Sequence, residues 1–503
     1  MSRVHALLAW LERASDWLSP IVVKEVRQVV RGREFISSFA GSLLTGMAIA
    51  FFGATAALSS DGTSGGWTFV ALMTCLSIVG LAVVPLGAFS ALRNERMEQT
   101  LELITLTALS PRRIVIGKLL AQGVKLATLF AAVAPFIAMS FLLGGIDFVT
   151  ILVSLAIVFL WSMWSCSVCL FLSTLLKSRA MSGLVFGGGA IMLILIFALG
   201  RTIFFVASRG GFGMAFGMGT SRAQFWWGVA IVSSACLMTM MNFVLLAENR
   251  LSLPTENRVT TLRLGFLAQF LLIVAWTLSF VNVPTATRDA FYALGVFGGL
   301  HLAIVAMFTV TEDLVVPRRV LLQMRHRRAF ALLFPGGGRG AAYVLVQMVI
   351  LILTAWLFRP IWEEMRWLLA VCAYICFFTG VPTLAVRAAR PDASASLILR
   401  VGILVLLTAT MLLPDLLYYG LWRPDALSLQ YSMRHLINPL RTLANWPVVE
   451  ANGWWWMPTL LGLTGLLAYG VLIQLGRSMT AQPTLERPAP AAAGEPGRVH
   501  AVD

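Results

Sequence analysis

The segment Arg93–Leu120, RNERMEQTLELITLTALSPRRIVIGKLL, is a polar, helix-prone passage set between two long apolar runs. Glu95, Glu98 and Glu102 recur at helical spacing, while Leu101, Ile104 and Leu106 supply an apolar flank. That spacing predicts a short amphipathic helix outside the bilayer. Ser110-Pro111 then stops it. Serine is a favoured N-cap and proline a favoured first helical residue, so a new helix is expected there, carrying Arg112, Arg113 and Lys118 before it turns fully apolar. A segment of this kind is a handle on which something outside the membrane can act. A solvated loop between two spans, with no partner, is the plainer reading of the same residues.

The composition sets the surroundings of this handle. Of 503 residues, 58% are hydrophobic and only 12% charged, and the mean hydropathy is +0.83. Soluble domains do not reach these values, so the chain is read as an all-α polytopic membrane protein. Apolar stretches of spanning length fall at roughly 36–59, 67–91, 115–142, 149–175, 180–200, 225–247, 264–282, 290–311, 341–358, 367–386, 398–420 and 455–475, which gives about twelve spans. The net charge of +15 would suit nucleic acid, but Lys and Arg gather in alternate loops, as the positive-inside rule requires of a membrane protein. Their distribution places both termini in the cytoplasm and argues against a nucleic-acid partner. No cleavable signal is expected, because charges interrupt the first thirty-five residues; the first span would itself direct insertion.

The six cysteines, Cys75, Cys166, Cys169, Cys236, Cys372 and Cys376, all lie inside apolar runs, where cysteine behaves as a small hydrophobe. No histidine accompanies the close pairs Cys166/Cys169 and Cys372/Cys376, so no metal site is expected.

Residues 1–35 are read as a cytoplasmic amphipathic element. Ser19-Pro20 opens a helix with Val22, Val26, Val29 and Val30 on one face and Lys24, Arg27 and Arg31 on another, which suits the cytoplasmic interface and its anionic headgroups. A basic flank that merely orients the first span is the alternative. In the loop 59–67, Gly62, Ser64 and Gly66 spell G-x-S-x-G, but a nucleophile elbow needs a strand before it and a histidine partner, and a flexible loop is expected instead. The stretch 207–227 is rich in Gly, Met and Phe and is expected at the external interface. Polar residues 247–264 mark a boundary between halves: 36–250 would form a first six-helix membrane domain, with the coupling handle at 93–113, and 251–480 a second that does not repeat it. In the second half, 317–340 predicts a basic helix on the inner leaflet from Arg318, Arg319, Arg325, Arg327 and Arg328; its Gly336–Gly340 run follows no strand and is not a nucleotide fingerprint. Residues 421–457 read as a long external loop whose Trp454-Trp455-Trp456 run marks the headgroup belt. The Pro/Ala-rich tail 481–503 is expected to be disordered.

Two of these segments together resemble the type-2 permeases of ABC transporters. That family's coupling region follows an E-R/K-E-x-G-T-L-E pattern, then leucines, a proline, basic residues and G-K. Here the matching residues are Glu95, Arg96, Glu98, Thr100, Leu101, Glu102, Pro111, Arg112, Arg113, Gly117 and Lys118, with Gln99 in the place of the usual glycine. The family's interfacial elbow helix, P-I-x-x-K-E-x-x-Q-x-x-R, falls on Pro20, Ile21, Lys24, Glu25, Gln28 and Arg31. Specific motifs cover residues 20–120, and the likeness extends more loosely to about 250. The resemblance implies a subunit of a prokaryotic exporter in the cytoplasmic membrane, working as a homodimer or beside a related permease. It also implies coupling residues Glu95, Arg96, Glu98, Thr100, Leu101, Glu102, Ile104, Leu106, Pro111, Arg112 and Arg113 and an elbow bearing Lys24, Glu25, Arg27 and Arg31.

The chemistry missing from the sequence agrees with that reading. No G-x-x-x-x-G-K-[ST] occurs, so the chain is not expected to be an enzyme or to bind a cofactor of its own; ATP and magnesium would sit on a separate ABC ATPase partner. Ionisable groups at mid-membrane depth, which ion-coupled carriers need, are nearly confined to Lys125 and His301. Membrane lipids are expected partners in any case, and two other classes stay open: a non-transporting scaffold within a larger complex, and a membrane-embedded lipid- or glycan-modifying enzyme built on Asp415, Asp425 and His435.

Overall fold

A computed structural model describes residues 20–59, 64–97, 110–175, 222–417 and 431–481, apart from 145, 147, 253–255, 258, 284–285, 327 and 390–395. Every regular element among them is helical. The order is α1 (Pro20–Arg31), α2 (Arg33–Ser59), α3 (Ser64–Ile78), a π turn (Val79–Val83), α4 (Val84–Met97), α5 (Pro111–Leu142), α6 (Phe148–Thr174) and α7 (Arg222–Leu251). There follow α8 (Val259–Leu278), α9 (Thr287–Thr309), α10 (Arg318–His326), a 3-10 turn (Arg328–Leu333), α11 (Gly337–Trp356), α12 (Trp362–Ala389) and α13 (Ser396–Leu417). A 3-10 turn (Met433–Ile437), α14 (Pro439–Ala444), α15 (Trp446–Ala451) and α16 (Trp456–Ala481) complete the chain.

Among the described residues ten helices are long and apolar enough to cross a membrane, with α3 to α4 counting as one. Of the twelve expected spans, that over 180–200 lies outside the described residues. The stretch expected over 398–420 is present as α13, whose apolar part, Ile398–Pro414, is shorter than the other ten. Outward faces are as apolar as the interior: Phe51, Phe52 and Leu58 are 65%, 69% and 91% exposed, which only a hydrocarbon surround makes favourable. This is a multi-pass membrane protein.

The chain divides into two compact units, residues 1–254 with 261–272, and residues 255–260 with 273–503. In the first, α1 lies along α5, α2 packs on α3 and α5, and α6 runs between α4 and α7. Phe69, Leu72 and Met73 of α3 meet Val133 and Ile137 of α5 and Val158 of α6 in a core closed to solvent. The π turn has a local cause. Pro85 carries no N–H, and its ring cannot sit over the carbonyl four residues back, so the ladder takes one extra residue and the Val84 N–H reaches Val79 O. Gly80 within that turn lets α6 approach: a Cβ there would lie 2.6 Å from Ser162 Oγ.

In the second unit α12 and α16 form the closest pair. A Cβ on Gly465 would fall 2.5 Å from the backbone of Cys376, so the two helices touch nearly backbone to backbone, as small residues permit in membranes. The Thr379 and Tyr469 hydroxyls bond at 2.8 Å across the seam. The glycine run at the start of α11 has a packing function. Gly336 adopts φ +127, and a Cβ on Gly340 would lie 2.0 Å from Thr309 O. Where a long loop was expected over 421–457, the described part from 431 onward is folded into short helices. Asn438-Pro439 and Trp446-Pro447 start two of them, and Asn438 Oδ1 accepts the Arg441 N–H at 3.1 Å.

Candidate functional site

The sequence-predicted elements meet at the polar end of α5. Helix α1 is described from Pro20, Ser19 lying outside the described residues, and breaks at Gly32, whose N–H bonds back to Val29 O at 3.2 Å. Lys24, Arg27 and Arg31 are exposed, Val22 is buried and Val26, Val29 and Val30 are half-buried, so the two faces differ as their spacing indicates. Glu25 departs from the polar face and is buried, turned toward α5. Helix α5 starts at Pro111 with Ser110 at the cap position, but no side-chain cap forms; the Ser110 carbonyl instead accepts the Arg113 N–H at 2.9 Å.

Lys118 joins these pieces. Its ammonium, 3% exposed, donates to both oxygens of Glu25 at 3.2 Å and to Glu95 Oε1 at 2.7 Å. Three helices are thereby tied at one nitrogen: α1, the end of α4 and the start of α5. A buried ammonium between two carboxylates fixes geometry through charge-assisted bonds, and any one of the three left alone would be costly to keep from water.

The node continues inward along α5. Gln122 and Lys125 follow Lys118 at intervals of four and three residues, and all three are 3% exposed. The Lys125 ammonium and the Glu34 carboxylate converge over Gly87 of α4, 3.5 and 3.6 Å from where a Cβ would stand. Gln122 Oε1 has no hydrogen-bond partner among the described residues. The result is a polar stripe entering an otherwise apolar bundle.

Of the coupling residues expected from sequence, Glu95, Pro111, Arg112 and Arg113 are placed, Arg113 exposed and Arg112 half-buried. Arg112 lies within electrostatic reach of Glu248 on α7. Arg96 is helical with its side chain undescribed, and Glu98, Thr100, Leu101, Glu102, Ile104 and Leu106 lie outside the described residues. The structure thus gives Glu95 an intramolecular partner, where the sequence reading had reserved it for contact with another protein.

Of the residues of the alternative enzyme reading, only His435 has a described side chain. Asp425 lies outside the described residues, as does the side chain of Asp415. His435 is wholly buried and used structurally: its Nε2 accepts from Arg434 Nε at 3.2 Å, which leaves the proton on Nδ1, 3.2 Å from Ser432 O. Beside it, burial pushes the Tyr431 phenol above its ordinary pKa. No three His, Cys, Asp or Glu side chains among the described residues converge as a metal site.

Comparison with protein-family models, with curated proteins and with solved structures finds no match to this chain. Its function is therefore argued from the residues themselves.

Sequence reasoning missed the Lys118–Glu25 pair, which joins residues 93 positions apart. A signal existed in the K-x-x-x-Q-x-x-K spacing of 118, 122 and 125, which puts three polar side chains on one helical face.

Proposed function

We propose that this chain is the membrane-spanning permease subunit of an ATP-driven transporter, most simply an exporter of a prokaryotic cytoplasmic membrane, and that a separate ABC ATPase moves it through residues 93–113. The observation that carries the reading is the Lys118 node. The handle leaves α4 and enters α5, and both of its roots are fastened to each other and to α1 by one buried ammonium. A push on the handle is then delivered to three helices together instead of bending one loop. Glu98 and Glu102 would meet the ATPase, with Leu101, Ile104 and Leu106 in its surface groove. Two copies of the chain, or one beside a related permease, would serve two ATPase subunits. ATP and magnesium would be held by the partner.

The test is co-purification with a Walker-motif ATPase encoded beside this chain, followed by hydrolysis in proteoliposomes. Glu98→Lys with Glu102→Lys should release the ATPase and abolish its stimulation by the permease. Glu95 is left intact, because reversing it would also break the node. Unchanged co-purification and hydrolysis in that double variant would overturn the proposal.

A further inference from the structure

The second unit contains a cleft that the transport reading does not use. Helices α11, α12 and α16 enclose about 310 Å³, the lower end of the range of roughly 300–1,000 Å³ for small-molecule pockets. Its walls are apolar, and two of them, Val349 and Leu463, are 55% and 53% exposed on the outer surface, so the cleft opens sideways to the hydrocarbon. Along α12 it runs from Arg366 to Cys376, ten residues or about 15 Å. It is a slot with the length and chemistry of an acyl chain.

Its rim is charged. Arg366 stands in the second turn of α12, and the guanidinium lies 5.6 Å from the ring centre of Trp455, just before α16 begins, so both mark the level where spans meet headgroups. Arg366 Nη2 pairs with Glu450 Oε1 at 2.5 Å. That pair uses only part of each group. Arg366 lines the cleft and holds Glu450 beside it, and among the described residues Arg366 Nε and Glu450 Oε2 are both buried without a hydrogen-bond partner, one a donor and the other an acceptor. Trp446, which closes the same rim, is held by its indole N–H on Glu363 O at 3.2 Å.

We infer that this cleft holds a membrane phospholipid of the amino class, with one acyl chain between α11, α12 and α16, its phosphate on Arg366 and its ammonium on Glu450. A purely anionic headgroup would satisfy the arginine and face the glutamate with like charge. A trimethylated headgroup carries positive charge but no N–H for Glu450 Oε2. Only a headgroup that both accepts and donates meets the two unpaired atoms. The inference is independent of the transport reading, since it uses no residue of the first unit.

Native mass spectrometry of the full chain, released from vesicles containing equal phosphatidylethanolamine, phosphatidylcholine and phosphatidylglycerol, tests it. The wild type should retain one phosphatidylethanolamine in preference to the other two. Arg366→Gln should lower that retention about tenfold, equivalent to about 1.4 kcal/mol. Glu450→Gln should remove the preference for ethanolamine over choline, and Val349→Trp, at a lipid-exposed position that tolerates bulk, should fill the slot and displace the lipid. Equal retention of all three lipids, or retention unchanged in Val349→Trp, would show only surrounding bilayer lipid and overturn the inference. So would cross-linking of a second copy of the chain through Val349→Cys. Should Arg366→Gln not fold, the Val349→Trp and Glu450→Gln results decide.

Discussion

Replacing Lys118 by methionine removes the ammonium while keeping most of the side-chain volume. Two carboxylates, Glu25 with its side chain 9% exposed and Glu95 with 19%, would lose the cation 3.2 and 2.7 Å away. Deleting one partner of a buried ion pair costs about 3–5 kcal/mol, because the charge left behind is neither solvated nor paired. The penalty falls on the variant only if the carboxylates stay ionised and enclosed, so a compensated variant separates the electrostatic from the packing contribution. Lys118→Met with Glu25→Gln and Glu95→Gln should recover most of the loss, as neutral polar groups of the same shape carry no unpaired charge. Unfolding of the detergent-solubilised chain, followed by tryptophan fluorescence in denaturant, gives the ordering: wild type, then the triple variant, then Lys118→Met well below both. If the single variant unfolds with the wild type, the node is an incidental contact; if the triple variant is no better than the single, packing and not charge explains the loss.

Other consequences are direct. Gly340→Ala places a Cβ 2.0 Å from Thr309 O and should cost about 1–3 kcal/mol, whereas Gly402→Ala, with nothing within 4 Å, should stabilise α13 by about 0.5–1 kcal/mol; denaturant melts of both compare the two. Arg387, wholly buried, donates to Thr311 O, Glu312 O and the Asp313 carboxylate, which is itself 42% exposed, so Arg387→Met should destabilise the second unit by about 1.5–3 kcal/mol, read as early loss of its protease resistance. A membrane-permeant maleimide should label Cys75 and Cys236, which are half-buried, well before Cys166, Cys169, Cys372 and Cys376, which are buried; peptide mapping after timed labelling shows the order.

Periodicity and hydropathy carried the reading where a residue's environment follows from its neighbours in sequence. The faces of α1 are visible in the spacing of Val22, Val26 and Arg27, and Pro111 marks the start of α5, because both depend on local backbone and burial alone. The multi-pass architecture is visible for the same reason, since apolar runs of spanning length have one environment available to them. Tertiary pairing was not visible. Glu25 looks like any other member of a solvated face until α5 is laid beside it, and Lys118 looks like a basic flank until α4 returns. The short helices α14 and α15 were passed over because their length, six residues each, is too small for a period to register, although Asn438-Pro439 announces a cap. The π turn was unforeseen because Pro85 within an apolar run suggests a kink, and an extra residue is only one way a helix accommodates the missing N–H.

That extra residue changes how α4 relates to its own beginning. One residue of α-helix is about 100° of rotation and 1.5 Å of rise, so closing the π turn to α geometry would swing the whole of α4 by that angle. Glu95 would leave Lys118, and Gly87 would carry its smooth face away from Lys125 and Glu34. The ion pair at the membrane surface and the proline in its interior therefore enforce the same rotational setting from opposite ends. The span from Gly65 to Glu95 behaves as an indexed shaft with one occupied stop, and its angle is read out at the handle's root.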